Sequence, residues 1–483
     1  MKFLNALIVV SLVIVPSVGF GQQISPNPNP QGNTITVSDN GASNSVSFLN
    51  FGTIDITQDG KLANGTTGGS TARLDNYGTL ENAGTLDNAE VLQNNVGYTL
   101  NNTGTLDNSG SLDNQGVLNN NVGGTLNNTG TLTSTQSTLN NGGLLNNTGT
   151  LGNPLFSTLN NNVGGTLNNN VGGRLDNSGT VDNSGTLNNG GILFQFGTLN
   201  NSKTLDNSGS LEIYGTLDNI LGGTLNNTDT LDNNDGVLKN GGTLNNSSTL
   251  NNDGTLANDG TLNNTGTLNN TVTLNNTGTL NNTVALNNTG TLTNTGTLNN
   301  TGTFMNDGTF DNKNGTFDNS GTFSGDGNFI GAFTSSGVLA PGSSAGVLTF
   351  TGDFTKLAGS TELELGGLFD GGDNKDNTTF DWLDVSGDVS LLGTLQVSLL
   401  GNFALGDRDY FNVIRVGGTL SGQFDGLGEG GLVGTYGGED LFITYGGGDG
   451  NDVVLYVNSI PEPGSAVFLM MLAGLGMTVR RRR

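Results

Sequence analysis

Between Leu74 and Phe323 the apolar residues recur on a six-residue step. The cleanest run places Leu at 244, 250, 256, 262, 268, 274, 280, 286, 292 and 298, followed by Phe304 and Phe310. Leu74, Leu80, Leu86 and Leu92 keep the same step earlier in the chain. A period of six fits neither an amphipathic helix nor a coiled-coil seam. It is even, so within a strand every Leu falls on one face. A fixed short period of this kind predicts a solenoid.

The interruptions sharpen that reading. Asn-Val-Gly-Gly insertions lengthen the step to eight, as from Leu118 to Leu126 and from Leu159 through Leu167 to Leu175. Three steps are seven: Leu132 to Leu139, Leu231 to Leu238, and Phe310 to Phe317. In one continuous strand an odd step would turn the next apolar residue outward. The chain must therefore bend between these residues, at Asn-Asn and Asn-Gly, which tolerate the left-handed conformation of tight corners.

Each hexad thus predicts one short Thr-Leu-Asn strand and a corner. Three hexads would close a triangular coil, with coils stacked about 4.8 Å apart. Leu points inward. The residue two before it, usually Gly but Val at 272 and 284, is expected to share the interior. Asn side chains can stack in register along the coils. One buried Leu contributes about 1.5–3 kcal/mol, whereas ordering six residues costs about 6–12 kcal/mol of backbone entropy. Ladder hydrogen bonds and Asn stacks must supply much of the difference. The period resembles that of the hexapeptide β-helices. It departs from them in having Gly where they prefer small or β-branched residues, which leaves handedness and hexads per coil open. Right-handed coils of filamentous-haemagglutinin type fit the usual crossover hand, and a disordered low-complexity chain is the alternative to any fold.

Outside the repeat, Thr34–Val37 and Gly52–Ile56 read as strands of an N-terminal β cap over residues 22–73. After residue 330 the strand-like runs become longer: Gly346–Phe350, Thr394–Leu399, Phe411–Val416 and Val453–Val457, separated by Gly and Asp turns. Leu339–Gly346, Asp384–Gly387 and Leu392–Leu395 resemble the C-terminal passenger part of autotransporter-like β-helix proteins. That resemblance implies architecture, not activity. Residues 331–457 are therefore expected to form an all-β cap or the end of the solenoid, with a small core around Phe380, Trp382, Tyr410 and Phe411. The expected fold class is all-β: a parallel β-solenoid over 74–330, a β-rich C-terminal cap and a short C-terminal hydrophobic helix.

The two ends carry targeting patterns. Lys2 precedes an apolar run from Phe3 to Val15, and Gly19 and Gly21 have the spacing a signal peptidase needs. Residues 1–21 read as a cleaved signal peptide, so the chain is exported. At the other end Pro461, Glu462 and Pro463 precede an apolar run from Ala466 to Val479, then Arg480, Arg481, Arg482 and Arg483. The arginines resist translocation. The run is shorter than the roughly 20 residues of an ordinary spanning helix, which suits a temporary hold. Residues 458–483 resemble the PEP-CTERM sorting signal of Gram-negative bacteria. The resemblance implies recognition by an exosortase, a membrane cysteine transpeptidase. It also implies export through the inner membrane to the cell surface or extracellular matrix, with membrane contact only through this segment.

Composition narrows the chemistry. There is no Cys and no His, which removes disulfides, thiolate sites, Ser-His-Asp catalysis and most zinc sites. The net charge of −26 argues against nucleic acid, because phosphate binding needs Lys and Arg. It leaves room for calcium. Gly447–Leu455 resembles the calcium-binding nonapeptide of RTX proteins, which implies Asp449 and Asp452 as ligands. RTX calcium sits between stacked copies and this chain has one copy, which favours a plain Gly-Asp turn before the last strand. The loop Asp370–Asp376 reads as a solvated acidic turn. No cofactor is expected.

Three functions compete. A structural or adhesive surface or matrix protein fits export, repeat and charge, with exopolysaccharide or other matrix components as partners. A polysaccharide-active β-helix enzyme could work without His, but Arg73, Arg174, Lys203, Lys239 and Lys313 are scattered and no acidic pair stands out; the chain is not expected to be an enzyme. An ice-binding solenoid would use Thr-x-Thr faces such as Thr265-Gly266-Thr267 and Thr277-Gly278-Thr279, yet these span expected corners.

Overall fold

The computed structural model describes residues 22–38, 41–65, 71–342, 344–372 and 375–458. The described residues are almost wholly short β-strands, with one 3-10 turn at Lys375–Asn377. No helix among them is long and apolar enough to cross a membrane. The expected signal peptide, C-terminal helix and sorting residues from Pro461 to Arg483 lie outside the described residues. The chain divides into two units, one ending at Asn263 and one beginning at Asn264.

In the first unit three hexads close one coil. Thr79–Asn82, Thr85–Asn88 and Val91–Asn94 follow one another around the coil. Each pairs in parallel with the strand three places on: Leu80 lies against Leu100, Leu86 against Leu106, and Leu92 against Leu112. Every described Leu on the six-residue step is fully buried. The insertions sit at corners and leave the register intact. After Asn-Val-Gly-Gly at 121–124, Thr125–Asn128 still pairs residue for residue with Thr105–Asn108. Gly123, Gly164 and Gly172 take the left-handed conformation these wider corners need. The extra residue of two seven-residue steps does the same: Gln136 has φ 49° and Asp235 φ 57°.

The interior differs from expectation in one respect. The second inward position of each hexad is the Asn two residues after Leu, not the Gly two before it. Strand after strand alternates half-buried Thr, buried Leu, half-buried Asn or Asp, buried Asn. The Gly position lies at the corner, where a Cβ on Gly104 would stand 2.1 Å from the Gly84 carbonyl oxygen of the previous coil. Large residues at the Gly position project to solvent, as Lys203 does, whereas the small Ala72 and Ser157 stay buried there. In the second unit Val272 and Val284 are 47% and 50% exposed.

Buried amides require partners, and the Asn columns provide them. Asn82 Nδ2 donates to Asn102 Oδ1 at 2.7 Å and to the Thr105 carbonyl at 2.7 Å. Asn102 repeats this with Asn120 and Thr125, and Asn141 with Asn161 and Thr166. Both amide hydrogens are used, one along the column and one across the corner to the next face. Each Asn thus ties two faces of adjacent coils together. The segment 22–73, expected as the N-terminal cap, is built from the same ladder. Thr34–Val37 pairs in parallel with Thr53–Ile56, which pairs with Thr79–Asn82.

The second unit begins with the same repeat, for example Asn264 to Asn282 to Asn300 to Asn319. Its columns then run out, with Gly325, Gly331 and Ser335 near the ends. Phe304, Phe310, Phe317, Phe323, Phe329, Phe333, Phe350 and Phe354 replace Leu there. Consecutive rings pack with centroids 4.8–5.7 Å apart in all but one pair, Phe323 and Phe329 at 6.1 Å. Larger rings fill the volume the amides vacate. Lys356 takes the amide position opposite Ser335, fully buried, and donates to the carbonyls of Gly337 and Ala358.

Beyond it several strands lengthen, to Ser360–Leu365, Thr394–Leu399 and Tyr410–Val416. Parallel pairing ends at Tyr410–Val416 on its own face, while Leu420–Gly422 still pairs in parallel with Val389–Leu391. Asp452–Val457 runs antiparallel to Tyr410–Val416, and Glu439–Gly447 and Leu432–Tyr436 complete an antiparallel sheet. This antiparallel sheet closes one face at the C-terminal end. Phe380, Trp382 and Phe411 are buried in this C-terminal cap, but Tyr410 stays half-buried at its surface.

Candidate functional site

The calcium-like segment Gly447–Leu455 forms a β-hairpin. Its turn, residues 448–451, joins the antiparallel strands Glu439–Gly447 and Asp452–Val457. Gly448 and Gly450 have positive φ. Asp449 is exposed at the tip, while Asp452 is buried at the base. One Asp452 oxygen accepts from the Val416 N–H at 2.9 Å and the other from Asn412 Nδ2 at 2.6 Å. Asn451 Nδ2 donates to the carbonyls of Val416 and Gly418. The hairpin is clasped to the end of Tyr410–Val416 by these groups. Both oxygens of Asp452 are already used by protein donors, and the Asp449 carboxylate is exposed. Among the described residues no group of three or more acidic side chains is placed to hold a metal. This donor set fits a hairpin clasp.

The acidic loop is also tied down. Gly372 N–H, then Arg415, hold the Asp370 carboxyl below its ordinary range. Arg415 lies 4.0 Å above the Trp382 ring, and Lys375 pairs with Asp384. Asp373 and Asn374 lie outside the described residues.

A cleft of about 290 Å³ is lined by Glu362, Glu364 and Asp381 with Gln396 and Ser398. Asp381 is buried, and its two oxygens accept from the N–H groups of Gly346 and Glu364 at 2.8 and 2.7 Å. Burial pushes its pKa up to about 8. Both oxygens serve as backbone clasps between neighbouring strands. Lys356 is shifted the other way, down to about 8, also by burial.

The Thr-x-Thr pairs straddle corners. Thr265 is in the bend and Thr267 opens the next strand, so the two do not share a flat face.

A groove of about 670 Å³ lies in the first unit, and sequence reading had not singled it out. Its wall is formed by Phe51, Tyr77 and Tyr98, with Thr53, Thr79 and Thr99 beside them. The three rings occupy the same corner of successive coils. Phe51 and Tyr77 stack at 5.3 Å, and Tyr98 stands edge-on to Tyr77 at 6.0 Å.

The sorting segment can be compared with known proteins. The family model of the PEP-CTERM protein-sorting motif matches residues 459–483. No curated protein matches the chain. The motif implies exosortase processing and export to the cell envelope or surface of a Gram-negative bacterium. The chain thus joins a PEP-CTERM protein-sorting motif to an all-β body of parallel solenoid coils.

Proposed function

We propose that the exported body is a non-catalytic structural or adhesive protein of the cell surface or extracellular matrix, acting without a cofactor. One observation carries this reading: outward side chains on the coils form hydrogen-bonded ladders of their own. The outward Asn residues form their own columns, Asn119 donating to Asn101, Asn140 to Asn119 and Asn160 to Asn140. Such rows of amides and hydroxyls offer many weak, equivalent contacts, which multiply into avidity on a polymer. A catalytic pocket instead needs a few convergent, unlike groups.

The test is localisation with and without the exosortase. In the parent strain the protein is expected at the surface or in the matrix, with the segment from near Pro461 removed as judged by intact mass. In an exosortase deletion it should remain cell-associated and keep Arg480–Arg483. Uncleaved protein in the matrix, or a purely periplasmic product, would overturn the reading.

A further inference from the structure

The three edges of the first unit are not equivalent. Its described aromatic residues are Phe48, which is buried, and seven others. Phe51, Tyr77, Tyr98, Phe156, Phe196 and Tyr214 all lie at the same one of the three corners, each just after a strand of a single face. Those strands are Ser47–Asn50, Arg73–Asn76, Val91–Asn94, Thr150–Asn153, Ile192–Gln195 and Ser210–Ile213. The seventh, Phe194, lies on that face and stacks at 6.1 Å on Phe196, which stacks at 5.0 Å on Tyr214. The other two edges carry no aromatic residue among the described positions. Exposed rings cost solubility, and here they are gathered in a line.

We infer that this aromatic edge, with the groove at Phe51, Tyr77 and Tyr98 as its best-formed part, binds an extended polysaccharide without charged substituents. The inference rests on the surface or matrix reading above and names the partner class.

Charge argues first. No Asp, Glu, Lys or Arg lines the groove, although the chain carries a net charge of −26. Arg73, on the strand that leads to Tyr77, is committed to Asp75 at 2.8 Å. The same rings in a basic channel would suit single-stranded nucleic acid, but phosphates and uronates find no cation here. A second copy of this acidic chain would bring like charges together.

Backbone pairing argues next. The strands that flank these corners already pair on both sides, as Thr79–Asn82 does with Thr53–Ile56 and Thr99–Asn102. An extended peptide has no open edge to join. A polysaccharide needs none. Its apolar ring faces pack on aromatic rings, and its hydroxyls meet Thr53, Thr79, Thr99 and Gln31 beside them. The site offers a ring and a hydroxyl on each successive coil, a repeat of about 4.8 Å that an extended sugar chain can follow.

Affinity gel electrophoresis of the purified exported protein tests this. The gels contain laminarin or hydroxyethylcellulose as neutral polymers, or alginate as a polyanion. Neutral polymer should retard the protein, and alginate should not. The double variant Phe51→Ala/Tyr77→Ala should bind at least tenfold more weakly with an unchanged circular dichroism spectrum, and Tyr77→Phe should retain binding. No retardation by either neutral polymer, retardation by alginate alone, or equal retardation of the double variant would each overturn the inference. So would a change of oligomeric state in the double variant with no change in retardation. Matrix recovery of a protein that binds no neutral polymer would sink this inference and leave the proposed function standing.

Discussion

Ile213 lies directly against Asn233 in one amide column, and Asn233 Oδ1 accepts no hydrogen bond. Ile56 stands in the same relation to Asn82, whose Oδ1 is also unpartnered. The interior columns have a direction: each amide donates to the next coil and accepts from the one before. An aliphatic residue therefore orphans the acceptor that follows it.

Ile213→Asn should restore the missing donor. It gives up apolar burial of about 2–3 kcal/mol and relieves an unsatisfied buried acceptor costing about 1–3 kcal/mol. Chemical denaturation should place its stability within about 1 kcal/mol of the parent. The neighbouring Leu211→Asn has no column to join and should cost at least about 3 kcal/mol. Equal losses for the two variants would contradict the directional column.

The inward and outward positions differ just as sharply one residue apart. Leu268 is fully buried, and Asn269 faces outward in Thr267–Asn270. Leu268→Asp should unfold the local coils or cost several kcal/mol, because it buries an unpaired charge. Asn269→Asp should change stability by less than about 1 kcal/mol. The melting temperatures of the two variants decide this.

Stability should pass through a minimum near pH 8. Folded Asp381 keeps its proton up to about pH 8, while the unfolded carboxyl releases it near 3.8. Its contribution is full below 3.8 and is lost as pH rises to 8. Folded Lys356 releases its proton near pH 8 and the unfolded amine near 10.5, so stability is regained across that interval. Asp381→Asn should flatten the acid limb of a plot of Tm against pH, and Lys356→Met the alkaline limb. A monotonic profile unchanged by both substitutions would refute the assignment.

Calcium should not stabilise the C-terminal cap. Tm in millimolar calcium is expected to equal that in chelator. Asp452→Asn should lower Tm in both buffers by the equivalent of about 1–3 kcal/mol, since it disturbs the hydrogen bonds from Asn412 and Val416. A rise with calcium that depends on Asp452 would show that the carboxylate changes partners to hold an ion.

The solenoid was readable because an even period and buried Leu leave few other solutions. The need for a bend in the odd steps was readable, and Gln136 and Asp235 lie in two of them, but its place was not: Asn-Asn belongs to the strand, as in Thr99–Asn102, and the chain turns at the two residues that follow. The interior partner of Leu was not readable either. A strand offers two equivalent positions, two residues before and two after Leu, and hydrophobicity alone favours Gly or Val over Asn. Only the amide columns, which exist after coils stack, make Asn the better choice. The C-terminal strands were legible as runs, but the antiparallel return of Asp452–Val457 depends on long-range pairing that no local pattern encodes. The aromatic edge was hidden for a related reason. Phe51, Tyr77 and Tyr98 follow no fixed spacing in sequence, because the lengths of intervening corners vary. Their alignment appears only once each corner is assigned to an edge.

Closure of the coil by three hexads also makes the chain a counting device. Adding or losing one hexad would turn everything after it by a third of a revolution, while a change of three would leave every edge in place. A single hexad inserted between Tyr98 and Phe196 would carry Phe196 and Tyr214 to a different edge, at no cost to Leu or Asn. Their shared edge therefore requires a whole number of coils between them, a constraint that packing alone does not impose.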